Sequence, residues 1–242
     1  MKKILVFTTY DNFYLKKLII NLSKNKKFKF YYFIISDYKS INNIFVKLAT
    51  FGLIKSFNFL IRSIIIDIKG ENLVSKLNKK NIILGEKSED YLKNFIKLKK
   101  IDLILSVNYP KKISQNIFNA PKFGAINNHL GNLPKYRGRY PVINAIMNGD
   151  KKIYSTIHKI NEKIDDGAVI LKGGISNKLN DNIEAKYEKL FSITEKLITK
   201  SLFKIFNRNK IKSKKSVKSI YNKKPNIFKI IKIYIFFNFI RF

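Results

Sequence analysis

The chain has 242 residues, 45% of them hydrophobic, enough for one α/β core with an appendage and too apolar for wholesale disorder. It contains no Cys and only two His, His129 and His158, which excludes disulfides, thiol nucleophiles and Cys-ligated metal; without a His-Glu-x-x-His run, no metal site is expected. Its 49 Lys and Arg against 16 Asp and Glu give a net charge of +33, a field that draws nucleic acid, anionic lipid or phosphorylated small molecules without choosing among them.

Lys3 to Thr9 predicts a short strand, and Leu15, Leu18, Ile19 and Leu22 then recur at the spacing of one helical face. Phe28 to Ser36 predicts a second strand, so the opening alternates in the manner of a parallel sheet with crossover helices. Residues 41 to 70 read as a helical pair laid over the sheet, with an amphipathic, basic character that also suits a membrane surface. Asn81 to Leu84 predicts the next strand. Ser88, followed by Glu89 and Asp90, caps a helix that turns Leu92, Phe95 and Ile96 inward. Asp102 to Val107 and Gly124 to Asn127 are buried strands, and Pro141 and Gly149 bracket a short helix. Ile153 to Ile160 and Ala168 to Lys172 are the final strands, followed by a long helix from Asn182 to Phe206. The expected fold class is therefore α/β, a mostly parallel sheet with crossover helices.

After Glu195 the chain has no acidic residue. Arg208 to Lys224 reads as a Lys-rich flexible arm, and 227–242 as a docking helix, a strand or an interfacial anchor. The division is thus a main domain, 1–206, and a basic, aromatic-rich tail, 207–242, peripheral to any chemistry. Only five of the basic residues are Arg (Arg62, Arg137, Arg139, Arg208 and Arg241), and the Lys/Asn/Ile bias is also what an A+T-rich genome writes on tolerant surfaces. The apolar run after Met1-Lys2-Lys3 is too short for a secretion signal, and no segment is long enough to span a bilayer, so a soluble cytoplasmic protein is expected. No glycine-rich dinucleotide or nucleoside-triphosphate motif occurs.

The polar residues concentrate between Gly124 and Pro141. Asn127 ends a buried strand and His129 lies two residues on, so extended backbone points both side chains to one side. An amide beside an imidazole at the carboxyl end of a strand can bind a developing oxyanion. The turn 161–167 offers Asp165, a carboxylate able to fix the tautomer of His129 and favour its protonated form. Taken alone, Asn-x-His is more often loop structure than catalysis, and Asp-Asp-Gly is most often a turn. His158, mid-strand, suits a structural or substrate-lining place.

Asn127-x-His129, Leu133-Pro134-Lys135-Tyr136-Arg137-Gly138, Pro141, Ala145-Ile146, Asn148-Gly149-Asp150, Thr156-Ile157-His158 and Ile164-Asp165-x-Gly167 together resemble the core of the 10-formyltetrahydrofolate-dependent formyltransferases. The dense similarity runs from about Asp102 to Leu171, and Tyr-Arg-Gly-x-x-Pro resembles the methionyl-tRNA and amino-sugar branches more than the glycinamide ribonucleotide branch. The resemblance implies that 1–206 is a Rossmann-like, mostly parallel formyltransferase catalytic domain with 10-formyltetrahydrofolate as formyl donor. It implies a catalytic triad of Asn127, His129 and Asp165, in which Asn127 and His129 stabilise the oxyanion and Asp165 positions His129. It further implies a folate pocket formed by Val107, Asn108, Tyr109 and Pro110 with Asn161 and Ile164, and acceptor contacts from Arg137, Gly138 and Arg139. Departures fall at Leu130-Gly131-Asn132 and Asn144, on the acceptor side.

The expected acceptor is the amine of a nucleotide-linked amino sugar for a surface polysaccharide. A methionyl-tRNA formyltransferase suits the charge, but 207–242 is too short for a five-stranded tRNA-binding barrel. A non-catalytic membrane- or nucleic-acid-binding protein on the same fold is the third reading. Peripheral membrane contact by the tail and a homodimer are compatible with the sequence.

Overall fold

A computed structural model describes residues 1–11, 13–35, 41–178, 181–208 and 220–240. In chain order it contains β1 (Lys2–Thr9), α1 (Tyr14–Ser23), β2 (Phe28–Ile35), α2 (Ile41–Phe51), α3 (Leu53–Ile68), β3 (Ile82–Leu84), α4 (Glu89–Lys99), β4 (Leu103–Val107) and α5 (Gln115–Phe118). There follow β5 (Ala125–His129), β6 (Tyr136–Gly138), α6 (Pro141–Met147), β7 (Lys152–Lys159), β8 (Val169–Ser176), α7 (Ile183–Phe206), β9 (Ile220–Asn222) and α8 (Ile227–Ile235), which runs into a π-helical turn, Phe236–Ile240.

The main sheet has the order β3-β2-β1-β4-β5-β7-β8. Its first five strands are parallel, and β7 and β8 are antiparallel additions. Parallel strands are covered on both faces and so carry continuous apolar runs, as Ile4 to Phe7 and Leu103 to Leu105 do. One face packs Ile4, Val6 and Leu105 under Leu15, Leu18, Ile198 and Leu202 of α1 and α7. The other packs Leu5, Phe7 and Ile104 under Leu92 and Ile96 of α4. Ser88 accepts the amide of Tyr91 and Asn182 that of Ala185, so both helices start where a side-chain oxygen satisfies a free donor.

From β1 the chain builds outward through β2 and β3, then returns to lay β4 and β5 on the opposite side. The carboxyl ends of β1 and β4 thus form a switch point, where open α/β sheets have a crevice.

The strands and helices anticipated from the sequence are found with small shifts, the largest at β8, which extends to Ser176 rather than Lys172; α5 and β6 were not anticipated, and the 41–70 helical pair packs on α8 through α2 instead of lying over the sheet. The tail differs more. Residues 209–219, most of the expected flexible arm, lie outside the described residues. Residues 220–240, however, pack on the rest of the chain: β9 pairs in parallel with β6, and Ile230, Ile233 and Phe237 join Val46, Ala49 and Ile143 in a third apolar cluster. Of the three readings left open for 227–242, the strand is not the one found: residues 227–240 are helical and pack on α2. Pairing over more than eighty residues of sequence separation leaves no local periodicity to read.

Candidate active site

Three neighbouring strands set the site. Asn127 and His129 lie on β5 with their side chains on one face, as the two-residue spacing predicts. Antiparallel pairing places His158 of β7 opposite Asn127. The turn between β7 and β8 is closed by the Lys159 amide donating to the Ala168 carbonyl at 2.9 Å. Gly167 presses on that same strand: a Cβ there would stand 1.8 Å from the Lys159 carbonyl oxygen, so only glycine lets the turn close. Asp165 takes the left-handed conformation, φ 52°, which an Asp tolerates better than most residues.

The turn thereby delivers the Asp165 carboxylate between the two imidazoles. Oδ2 lies 3.4 Å from Nδ1 of His129 and Oδ1 lies 3.5 Å from Nε2 of His158. Asn127 Nδ2 donates to Asp165 Oδ1 at 3.3 Å and stands 3.1 Å from His158 Nε2. The Gly138 amide donates to Asp165 Oδ2 at 2.9 Å.

Carbonyl neighbours assign the ring protons. His129 Nε2 is 2.7 Å from the Tyr136 carbonyl, which only accepts, so this nitrogen carries the proton. His158 Nδ1 is 2.8 Å from the Lys159 carbonyl and carries a proton for the same reason, while its Nε2 lies 3.1 Å from Asn127 Nδ2 and 3.5 Å from Asp165 Oδ1. Burial pushes the His129 imidazole below its ordinary value, against the pull of the Asp165 carboxylate. The Asp165 carboxyl feels burial as the largest single influence, which raises it. The His158 hydrogen bond, the two imidazoles and the Gly138 amide together outweigh that and hold it at about 2. Asp165 is thus ionised and draws the His129 imidazole toward its protonated form, as expected from the sequence, while burial pulls the ring the other way.

These residues line a cleft of about 650 Å³. Asn108, Tyr109 and Pro110 form one side, with Asn161 and Ile164 of the turn. Tyr109 is braced edge-on by Phe7, with ring centroids 5.2 Å apart. Gly138 and Arg139 lie at the rim near Asp165. The opposite wall comes from Tyr10, Tyr14, Phe51, Phe59, Tyr187 and Phe191. Tyr14 stacks on Phe191 with centroids 5.9 Å apart. That aromatic wall was not legible in the sequence, because it is assembled from the residue after β1 and from α1, α2, α3 and α7.

Two residues expected at the cofactor or acceptor stand elsewhere. Val107 is fully buried with Leu103 and Leu105 in the core, and the cleft begins at the next residue, Asn108. Arg137 is turned onto the Asp165 turn instead of the cleft: Nε and Nη2 donate to the Ile164 carbonyl at 3.0 and 2.7 Å, and Nη1 pairs with Asp166 at 3.0 Å. Asn144, a departure on the acceptor side, is buried and donates to the carbonyls of Arg139 and Tyr140 at 3.0 and 2.9 Å, fixing the loop that carries Arg139. Among the described residues no cluster of three or more His, Asp or Glu could hold a metal ion.

The model of the formyl transferase family matches residues 69–202, more than half of the chain, and the chain belongs to that family. A methionyl-tRNA formyltransferase of Kosmotoga olearia is 39% identical over 106 residues, which cover 44% of this chain and 34% of that protein. This chain thus spans about a third of that relative's length. In fold, a sugar N-formyltransferase from Shewanella sp FDAARGOS_354 superposes with a TM-score of 0.62 at 21% identity, covering 92% of this chain and 76% of the other. HypX from Aquifex aeolicus, solved in complex with tetrahydrofolic acid, superposes with a TM-score of 0.58 at 16% identity, over 92% of this chain and 30% of HypX.

Proposed function

We propose that this protein transfers a formyl group from 10-formyltetrahydrofolate to the amine of a nucleotide-linked amino sugar. The observation that carries the reading is the convergence of Asn127, His129 and Asp165 at one end of a cleft large enough for a small-molecule donor and acceptor. Membership of the formyl transferase family and the tetrahydrofolic acid bound to HypX support the donor. The fit is also local: Tyr109, Pro110 and Ile164 line the cleft with apolar surface suited to a pterin. The bound donor supplies an activated formyl carbon.

The chain's own groups do the rest. Asn127 holds its two contacts at 3.1 and 3.3 Å, long enough to be exchanged for charge developing on the formyl oxygen. His129 Nδ1 is the basic ring nitrogen, and it faces Asp165, so a proton leaving the amine as its bond to the formyl carbon forms can be held there as an ion pair with a carboxylate already ionised, and be returned to the folate nitrogen when its bond to that carbon breaks. Asp165 is fixed by Gly138 and by the Arg137 grip on its turn, which makes Arg137 a positioning residue. Gly138 and Arg139, at the rim, are the acceptor side in this reading.

The likeness to a sugar N-formyltransferase over most of the chain supports the sugar acceptor, and similarity to methionyl-tRNA formyltransferases supports tRNA as the second reading. An acceptor screen with 10-formyltetrahydrofolate decides between them. Turnover of a nucleotide-linked amino sugar is expected, with charged initiator tRNA inert; the reverse pattern would replace the proposed acceptor, and no turnover of either would remove the catalytic reading.

A further inference from the structure

Helix α3 is built inside out for a protein surrounded by water. Ser56, Phe59 and Ser63, at i, i+3 and i+7, are the side chains it turns to the cleft. Its outer face carries Leu53, Ile54, Phe57, Ile61, Ile64 and Ile68 along the full length of the helix, and Ile54 and Ile68 are 79% and 80% exposed. No residue of α3 is buried. Scattered exposed apolar side chains are ordinary, but a continuous stripe over four turns marks a contact surface. The same composition recurs on α8, where Ile227, Phe228 and Ile231 are exposed. Both helices flank α2, α8 packing against it directly and α3 continuing from it across Gly52.

Charge selects the occupant. Arg62 and Lys69 border the α3 stripe beside Lys55, which pairs with Glu184 at 3.6 Å, and Lys229 and Lys232 lie on α8. The α8 segment, 227–240, has no acid, and the one acid of α3, Asp67, accepts a hydrogen bond from Tyr10. Two copies meeting through these faces would bring cations against cations on chains of net charge +33. An anionic lipid surface supplies the missing countercharge and takes up apolar side chains. Amphipathic helices with basic borders lie in such an interface without crossing it. Among the described residues no helix is long and apolar enough to cross a membrane.

We propose that the outward faces of α3 and α8 dock this protein on the surface of an anionic lipid bilayer. The inner face of α3 is a wall of the cleft, so docking brings the cleft within about one helix diameter, 10–12 Å, of the headgroups. The inference stands apart from the formyl-transfer reading, because it needs no turnover to be observed.

The test is co-sedimentation of the full chain with vesicles of phosphatidylcholine alone and of an equal mixture of phosphatidylcholine and phosphatidylglycerol. Binding to the mixed vesicles is expected to be at least about tenfold tighter than to the neutral ones, and to weaken with salt. The triple substitution Ile54→Ser, Phe57→Ser, Ile61→Ser removes exposed side chains only and is expected to abolish binding with an unchanged circular dichroism spectrum. Lys229→Glu with Lys232→Glu leaves the α3 stripe intact and is expected to lower binding to the mixed vesicles about tenfold. Equal binding to both vesicle types, or none to either, would overturn the proposal. So would a stable dimer in sedimentation equilibrium that the triple substitution dissolves, which would make the stripe a self-interface.

Discussion

Nδ1 of His129 faces Oδ2 of Asp165 across 3.4 Å, and it is the ring nitrogen not committed to a backbone carbonyl. The imidazole is held by the Tyr136 carbonyl at one end and presented to the carboxylate at the other. That division of labour lets one side chain receive a proton without turning.

Replacing His129 by Ala is expected to lower turnover by roughly two to three orders of magnitude, the scale of one lost stabilising group in a water-excluded site. Folate affinity should change little, because Tyr109, Pro110 and Ile164 are untouched. Steady-state rates and a folate titration on the same folded variant check both halves.

Stability should fall on the acid side in two stages. The His129 imidazole is depressed below its ordinary 6.5, so the unfolded chain takes up its proton first, and stability declines as pH falls below about 6.5. Asp165 is depressed from 3.8 to about 2; its contribution, about 2 kcal/mol, is complete above pH 3.8 and is lost as pH falls toward 2. Urea unfolding across pH 2 to 8 should show both, and Asp165→Asn should remove the lower one.

Arg137→Lys keeps the charge but loses the fork that grips the Ile164 carbonyl with two nitrogens and Asp166 with a third. Turnover is expected to fall about tenfold, from the loss of roughly one charge-assisted hydrogen bond. Amide exchange in residues 161–167 should accelerate in the variant. An unchanged exchange rate would show that the turn holds itself.

Truncation after Asn207 should not be silent. Asn222 accepts the Arg139 amide at 2.8 Å, and its side chain donates to the Arg137 carbonyl at 3.3 Å, so the tail strand backs the Gly138 loop that holds Asp165. A Cβ on Gly138 would come within 2.3 Å of the Asn222 carbonyl oxygen, a measure of how closely the two strands meet. Loss of residues 208–242 is expected to lower both the melting temperature and turnover. Thermal melts and rates on the truncated chain, beside Asn222→Ala, separate loss of β9 from loss of α8.

The sheet, its helices and the single-sided placement of Asn127 and His129 were determined by the sequence alone, because strand alternation, helical spacing and cap chemistry are local properties that neighbours in the chain carry together. Leu15, Leu18, Ile19 and Leu22 are buried as their spacing predicts. The tertiary structure alone decided that Arg137 serves the Asp165 turn, that Tyr14 and Phe191 wall the cleft, that β9 closes on β6, and that α3 turns its apolar face outward. Each of these depends on which segments distant in the chain become neighbours, and burial, unlike periodicity, is a property of the partner as much as of the residue.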